Sequence, residues 1–368
     1  MNYVQEFGKD TFDERPFSEI DALVLTELGY SPLEEIVSSD MSGKEFSTVE
    51  EIAHHMGENA ERLLRDNPMM ITQERVDLTQ EIGKAKRYQS LKFFGMKSEV
   101  DSDITKQFAA FTVEINPNVR IVIYRGTDET LIGWKEDFMM TYSPVIPAHK
   151  DAKEYLEQQA KLFDGEILLS GHSKGGNFAI YAAAFSDDSI KNRIIRVYNN
   201  DGPGFRDEVI NSNGYQIILP KIQSIIPQTS IIGQLLSNKG KQKVICSKAN
   251  GIFQHDAMTW EVTKDKFVPA ELDDFSRFVK ATLENWLEKL DAETRCSIIS
   301  IVFSMIEETE SETFREFGSD LIKNAVTVIK SLVKLPREKK RELIAALSAL
   351  IKSSGKVTIN HLAQFSKK

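Results

Sequence analysis

The sequence is poor in several things, and each shortage excludes a class of protein. Of 368 residues only Cys246 and Cys296 are cysteine, too few for a disulfide scaffold or a cysteine metal centre. Nowhere do about 18 apolar residues stand together, as a membrane-spanning helix requires. The opening Met1-Asn2-Tyr3-Val4-Gln5-Glu6-Phe7 lacks the basic segment and apolar run of a secretory signal. A cytoplasmic chain without a transmembrane segment is therefore expected. Positive charge is also scarce: 46 Lys and Arg stand against 55 Asp and Glu, a net −9. Duplex binders need the opposite balance to neutralise phosphates, so no nucleic-acid partner is expected. The same sign disfavours docking on anionic membranes, leaving apolar contact as the route to any lipid. No HExxH occurs, and the adjacent His54 and His55 point to different faces of a helix, so neither metal nor cofactor is expected.

What remains is ordinary globular composition, 41% hydrophobic and 27% charged. Without repeats or long linkers, a boundary has to come from a change of periodicity, and that change lies near residue 262. Before it strand-like and helix-like stretches alternate, the pattern of an α/β layer fold. Residues 107–115 and 119–124 read as a hairpin about Asn116-Pro117-Asn118. Residues 152–163 read as a crossover helix, 166–170 as a buried strand, 177–185 as a helix and 193–198 as a further strand, which predicts a mostly parallel sheet. The segment 47–93, with Met69-Met70 and Phe93-Phe94, reads as helical and as a possible cover over a site. After residue 262 the pattern is helical only, with stretches near 275–290, 293–307, 312–334 and 337–353. The expected parts are an α/β domain over 1–262 and an all-helical C-terminal extension over 263–368, suited to protein contacts or oligomerisation.

Leu168-Leu169-Ser170-Gly171-His172-Ser173-Lys174-Gly175-Gly176 holds G-x-S-x-G between a strand and a helix, the context of the nucleophile elbow of α/β-hydrolases. Small residues are needed there because the strand and helix backbones approach closely. Ser173 is the candidate nucleophile; the competing assignment is a glycine-rich turn with an idle serine. A serine needs a base, and in this arrangement the chain order is Ser, acid, His. Of six histidines only His255 and His361 follow Ser173, and His361 is the eighth residue counting back from the C-terminus. His255, in the loop 250–256, is the better base, against a plain surface histidine. Between Ser173 and His255 the only acids are Asp187, Asp188, Asp201, Asp207 and Glu208. The first pair reads as a solvated turn and the last as a first helical turn. Asp201 remains, at a strand end, either as the triad acid or as the opening of the turn Asp201-Gly202-Pro203-Gly204. Acyl transfer also needs two N–H donors, one of them from the residue after the nucleophile, Lys174.

Tyr124-Arg125-Gly126-Thr127-Asp128, followed by Trp134 and Asp137, resembles the strand end of the class 3 (fungal-type triacylglycerol) lipases. That resemblance implies Thr127 as the second oxyanion donor. Together with Pro16-Phe17-Ser18-Glu19-Ile20-Asp21-Ala22-Leu23, Gly171 to Gly176, Asn200-Asp201-Gly202-Pro203-Gly204-Phe205 and Gln254-His255-Asp256, it is similar to the bacterial Mbeg-like family of lipase-like α/β-hydrolases. Two departures from class 3 lipases stand out. Ile225-Ile226-Pro227-Gln228-Thr229-Ser230, where those enzymes place the acid, has no carboxylate, and Lys174 replaces an apolar residue. A cation at a helix N-terminus is disfavoured, so Lys174 is expected either to reach solvent or to help hold an anionic head group or acid. Segment 230–236 and Met139-Met140 either line an acyl pocket or pack as core. Two functions compete: a serine hydrolase acting on a small-molecule or lipid ester, and an interaction module on a hydrolase scaffold. Thioesterase, acyltransferase or peptidase chemistry would use the same groups.

Overall fold

The computed structural model describes residues 2–365, except Met69, Glu129 and residues 314, 315 and 317–320. Its centre is one sheet whose strand order follows the chain: β1 (Ser47–Thr48), β2 (Lys92–Asp101), β3 (Lys106–Asn116), β4 (Val119–Tyr124), β5 (Glu166–His172), β6 (Ile194–Asn200), β7 (Ile222–Pro227) and β8 (Gln242–Ile245). β1 to β4 pair antiparallel. From β4 to β8 every pairing is parallel, with β5 inside the sheet. Helices α1 (Asn2–Phe7), α2 (Glu19–Leu28), α3 (Val49–Glu58), α4 (Ala60–Asp66) and α5 (Gln73–Lys84) precede β2. Helices α6 (Leu131–Met139) and α7 (Pro147–Leu162) lie between β4 and β5, and α8 (Lys174–Phe185) leads from β5 towards β6.

Alternation along the strands sends side chains to two cores. Phe108, Ala110, Val122 and Tyr124 pack with residues of α7 and α8, whereas Ala109, Phe111, Val113, Ile121 and Ile123 pack with Ile20, Leu23 and Val24 of α2. Both faces of the sheet are thus covered by helices, as parallel strands require. The Pro16–Leu23 block has a local cause: Ser18 caps α2, accepting from the Asp21 N–H while the Asp21 carboxylate accepts from the Ser18 N–H. Asp21 is in turn buried against the Arg87 guanidinium at 2.7 Å. Pro147 sits in the first turn of α7, where its missing N–H costs nothing.

The hairpin and the crossover helix lie where the sequence placed them, with α7 beginning five residues earlier than expected. Segment 47–93 is not helical throughout. Phe93 and Phe94 belong to β2, because their alternate faces are claimed by the sheet and its partner β3, and Met69 lies outside the described residues. Nor is the chain only helical after residue 262. A short hairpin, Val262–Thr263 with Lys266–Phe267, turns at Lys264, and the following backbone still bonds to the body through Val268 N–H to Glu261 O and Ala270 N–H to Val244 O. Helices then run over Asp274–Leu287, Ala292–Glu307, Leu321–Lys334 and Arg337–Phe365. Part of the stretch expected at 312–334 lies outside the described residues. These helices enclose their own cluster of Ile298, Ile301, Met305, Leu343 and Ala346. They meet the body at α6, where Lys135 pairs with Glu307 at 2.7 Å, Phe138 lies against Phe303, and the Leu131 N–H donates to Glu312 O.

Candidate active site

β5 and α8 join at Ser173 through a turn with no spare volume. A Cβ on Gly171 would lie 2.1 Å from the Gly175 carbonyl carbon, and one on Gly175 would lie 2.1 Å from the Tyr124 oxygen. Only glycine fits either position. Ser173 itself has φ +56°, the left-handed region that non-glycine residues avoid. It is held there by its N–H, which donates to Asn200 O at 2.9 Å, and by the start of α8. Such strain survives only where the surroundings over-determine it, and it gathers at functional sites. The side chain is partly exposed at the end of the strand.

Asp201 follows β6 directly and is also at positive φ, +49°. Its carboxylate is fully buried. Oδ1 accepts from Ser230 Oγ at 2.5 Å and from the Gly233 N–H at 3.2 Å, while Oδ2 faces His255 Nδ1 at 2.7 Å. Nδ1 therefore carries the proton and donates to Oδ2, so the neutral ring keeps its lone pair on Nε2. The His255 side chain is 25% exposed to solvent. Segment 230–236 thus buttresses the acid through Ser230 and Gly233, and Met140 is buried in the core beside α7 and α8.

His172, not singled out from sequence, holds His255 in place. Its Nε2–H donates to the His255 carbonyl at 2.8 Å, and Nδ1 accepts from the Tyr30 hydroxyl at 3.0 Å. Burial, then the nearby His255, holds the His172 imidazole well below its usual range, so it is neutral. The two rings lie 4.6 Å apart. Asp256 is gripped by Arg75 of α5, which also pairs with the buried Glu27. Among the described residues Ser173 Oγ makes no hydrogen bond at rest; His255 reaches the elbow through this His172 contact.

Thr127 lies in the loop after β4, and the adjoining Gly126 approaches so closely that a Cβ there would be 3.1 Å from Ser173 Cβ. Its hydroxyl donates to Asp137 Oδ2 at 2.5 Å. The Lys174 N–H is the first of α8, one of those a helix leaves without an internal partner. The Lys174 side chain overturns both expectations for it. It neither reaches solvent nor offers itself to an anionic head group: it is 1% exposed, with Nζ 3.1 Å from Glu136 Oε2, 3.4 Å from Gly133 O and 3.7 Å from Asp137 Oδ1. Glu136 is also buried and accepts from the backbone N–H groups of Gln107 and Ala148. Burial pushes the neighbouring Asp137 carboxyl up to about 6, against the opposing pull of Lys174. No pattern near Lys174 announces this arrangement, since its partners lie on α6.

A surface cavity of about 710 Å³ opens beside α3, lined by residues such as Phe46, Glu50, His54 and Gln80, and shares no residue with the elbow. Among the described residues, no group of three His, Cys, Asp or Glu side chains is placed to hold a metal ion.

A mostly parallel sheet between helical layers, with a serine elbow between an inner strand and its following helix, defines an α/β-hydrolase-like fold carrying a helical C-terminal extension. The chain belongs to the Mbeg1-like family, whose model matches residues 82–304. Similar solved structures include the Rhizomucor miehei lipase propeptide complex (14% identity, covering 62% of this chain and 67% of that one, TM-score 0.38) and a lipase from Rhizopus microsporus var. chinensis (12%, 71% and 81%, TM-score 0.39). M37 lipase is similar at 13% identity over 59% of this chain and 70% of its own, with a TM-score of 0.36. No curated protein sequence matches the chain.

Proposed function

We propose that this protein is a serine hydrolase that cleaves carboxylic esters, lipid acyl esters among them, through an acyl-enzyme. The observation that carries this reading is the 2.7 Å bond between His255 and a fully buried, doubly supported Asp201, beside a strained and partly exposed Ser173. Asp201 holds the imidazole in the tautomer whose Nε2 is the base and stabilises the imidazolium once it forms. His255 takes the proton from Ser173 Oγ as the oxygen attacks the ester carbonyl. The resulting oxyanion faces the N–H groups of Thr127 and Lys174. Collapse expels the alcohol, which takes the proton from His255, and a water activated by the same nitrogen releases the acid.

Hydrolysis of p-nitrophenyl esters of increasing chain length tests this. Wild type should turn over at least one chain length, Ser173→Ala should show none above background, and Asp201→Asn should fall by about 10⁴-fold. Equal turnover by wild type and Ser173→Ala would contradict the assignment.

A further inference from the structure

The C-terminal helices are apolar on the inside and again on the outside. In Leu321–Lys334 Val328 packs inward on the cluster around Ile301, as does Leu335 just beyond the helix, and Asn324 and Ser331 are buried. On the opposite side Val326, Ile329 and Val333, spaced three and four apart, share one face and stay in solvent, Val333 being 68% exposed. In the next helix Leu343 and Ala346 are buried, while Ile344, Leu347 and Ile351 form a second stripe, Ile351 being 71% exposed. A helix with an apolar face left over after packing has a second partner.

Charge indicates which partner. Residues 323–354 hold eight Lys or Arg against two Glu, a net +6, within a chain whose total is −9. Lys330, Lys334 and Lys352 each follow a stripe residue directly, about 100° around the helix, and are exposed, as are Arg337 and Arg341. We propose that these two helices form a docking surface for an anionic lipid bilayer, the stripes entering the acyl boundary and the cations meeting the head groups. A second copy packed face to face would set cations against cations, whereas an anionic surface complements them. The helices lie on the bilayer, since none among the described residues is long and apolar enough to cross it. The extension is tied to the body next to α6 by the bridge between Thr130 and Thr313 and by the bond from the Leu131 N–H to Glu312 O. The proposal stands independently of the role given to Ser173.

Flotation of the full chain with vesicles of phosphatidylcholine alone, or with 30% phosphatidylserine, tests it. The wild type should float with the anionic vesicles at 0.1 M NaCl, and at least tenfold less with neutral vesicles or at 0.5 M NaCl. Lys330→Glu/Lys334→Glu should weaken binding by about 25-fold or more, about fivefold for each cation removed. Ile329→Ser/Val333→Ser should weaken it by at least tenfold with unchanged circular dichroism, and the body control Lys150→Glu/Lys241→Glu should not. Ser173→Ala should float like wild type, so failure here leaves the proposed active site untouched. Flotation that ignores the charge reversal, or no flotation at all, would overturn the proposal. So would a dimer that Ile329→Ser/Val333→Ser abolishes in a chain that does not bind vesicles.

Discussion

Replacing Lys174 by methionine removes the ammonium beneath the elbow while keeping the volume of its stem. Lys174 and Glu136 are both almost fully buried, 3.1 Å apart, and deleting one partner of such a pair costs about 3–5 kcal/mol because the other charge is left without compensation. Glu136 retains the N–H groups of Gln107 and Ala148, so the lower end of that range is expected. For a body of this size about 3 kcal/mol corresponds to a fall in Tm of roughly 6–12 °C. Asp137 sharpens the test. Lys174 opposes the effect of burial on its carboxyl, so without the ammonium that carboxyl is protonated at still higher pH. Acid then relieves part of the damage, and the loss in Tm should be smaller at pH 5.5 than at pH 8. Thermal unfolding followed by circular dichroism at both values measures this, and Glu136→Gln in the Lys174→Met background should restore part of the loss. An unchanged Tm at pH 8, or a double variant that loses the sum of the singles, would refute the buried ion pair.

Other consequences follow from the same contacts. Burial pushes Asp137 up from 3.8 to about 6, so its favourable contribution is complete below about pH 4 and is lost as pH rises through 6. An Asn at 137 does not titrate, and the stability of wild type relative to Asp137→Asn should fall by up to about 3 kcal/mol between pH 4 and 7, read from urea unfolding. Ser230→Ala removes the closer donor to Asp201 Oδ1 and should lower kcat for ester hydrolysis by about tenfold, with KM unchanged, because that carboxylate does not touch substrate. His172→Phe keeps a ring but loses the bonds to Tyr30 and the His255 carbonyl. It should lower stability by about 1–3 kcal/mol and reduce kcat without abolishing covalent labelling of Ser173.

How much was legible in the sequence depended on how local the cause was. The elbow is written in nine consecutive residues, because the turn geometry itself demands Gly171 and Gly175. Asp201 and His255 came from chain order and elimination, and they lie in hydrogen-bond contact across 54 residues. The fate of the Lys174 side chain was illegible, since Glu136 and Asp137 meet it only once α6 packs beside α8. Phe93 and Phe94 became strand residues through pairing with β3, a contact that no local periodicity records. The cations of residues 323–354 were hidden by summing charge over the whole chain, which let the acidic stretches before them, part of the extension included, mask a basic segment.

The central claim is that Ser173 is a nucleophile activated by His255 and Asp201. Labelling of the intact, folded chain with a fluorophosphonate, followed by intact mass and peptide mapping, tests it most directly. The account predicts a single adduct on Ser173, absent in Ser173→Ala and slowed by orders of magnitude in His255→Ala and Asp201→Asn. An unlabelled wild-type chain, or labelling that persists in Ser173→Ala, would contradict it.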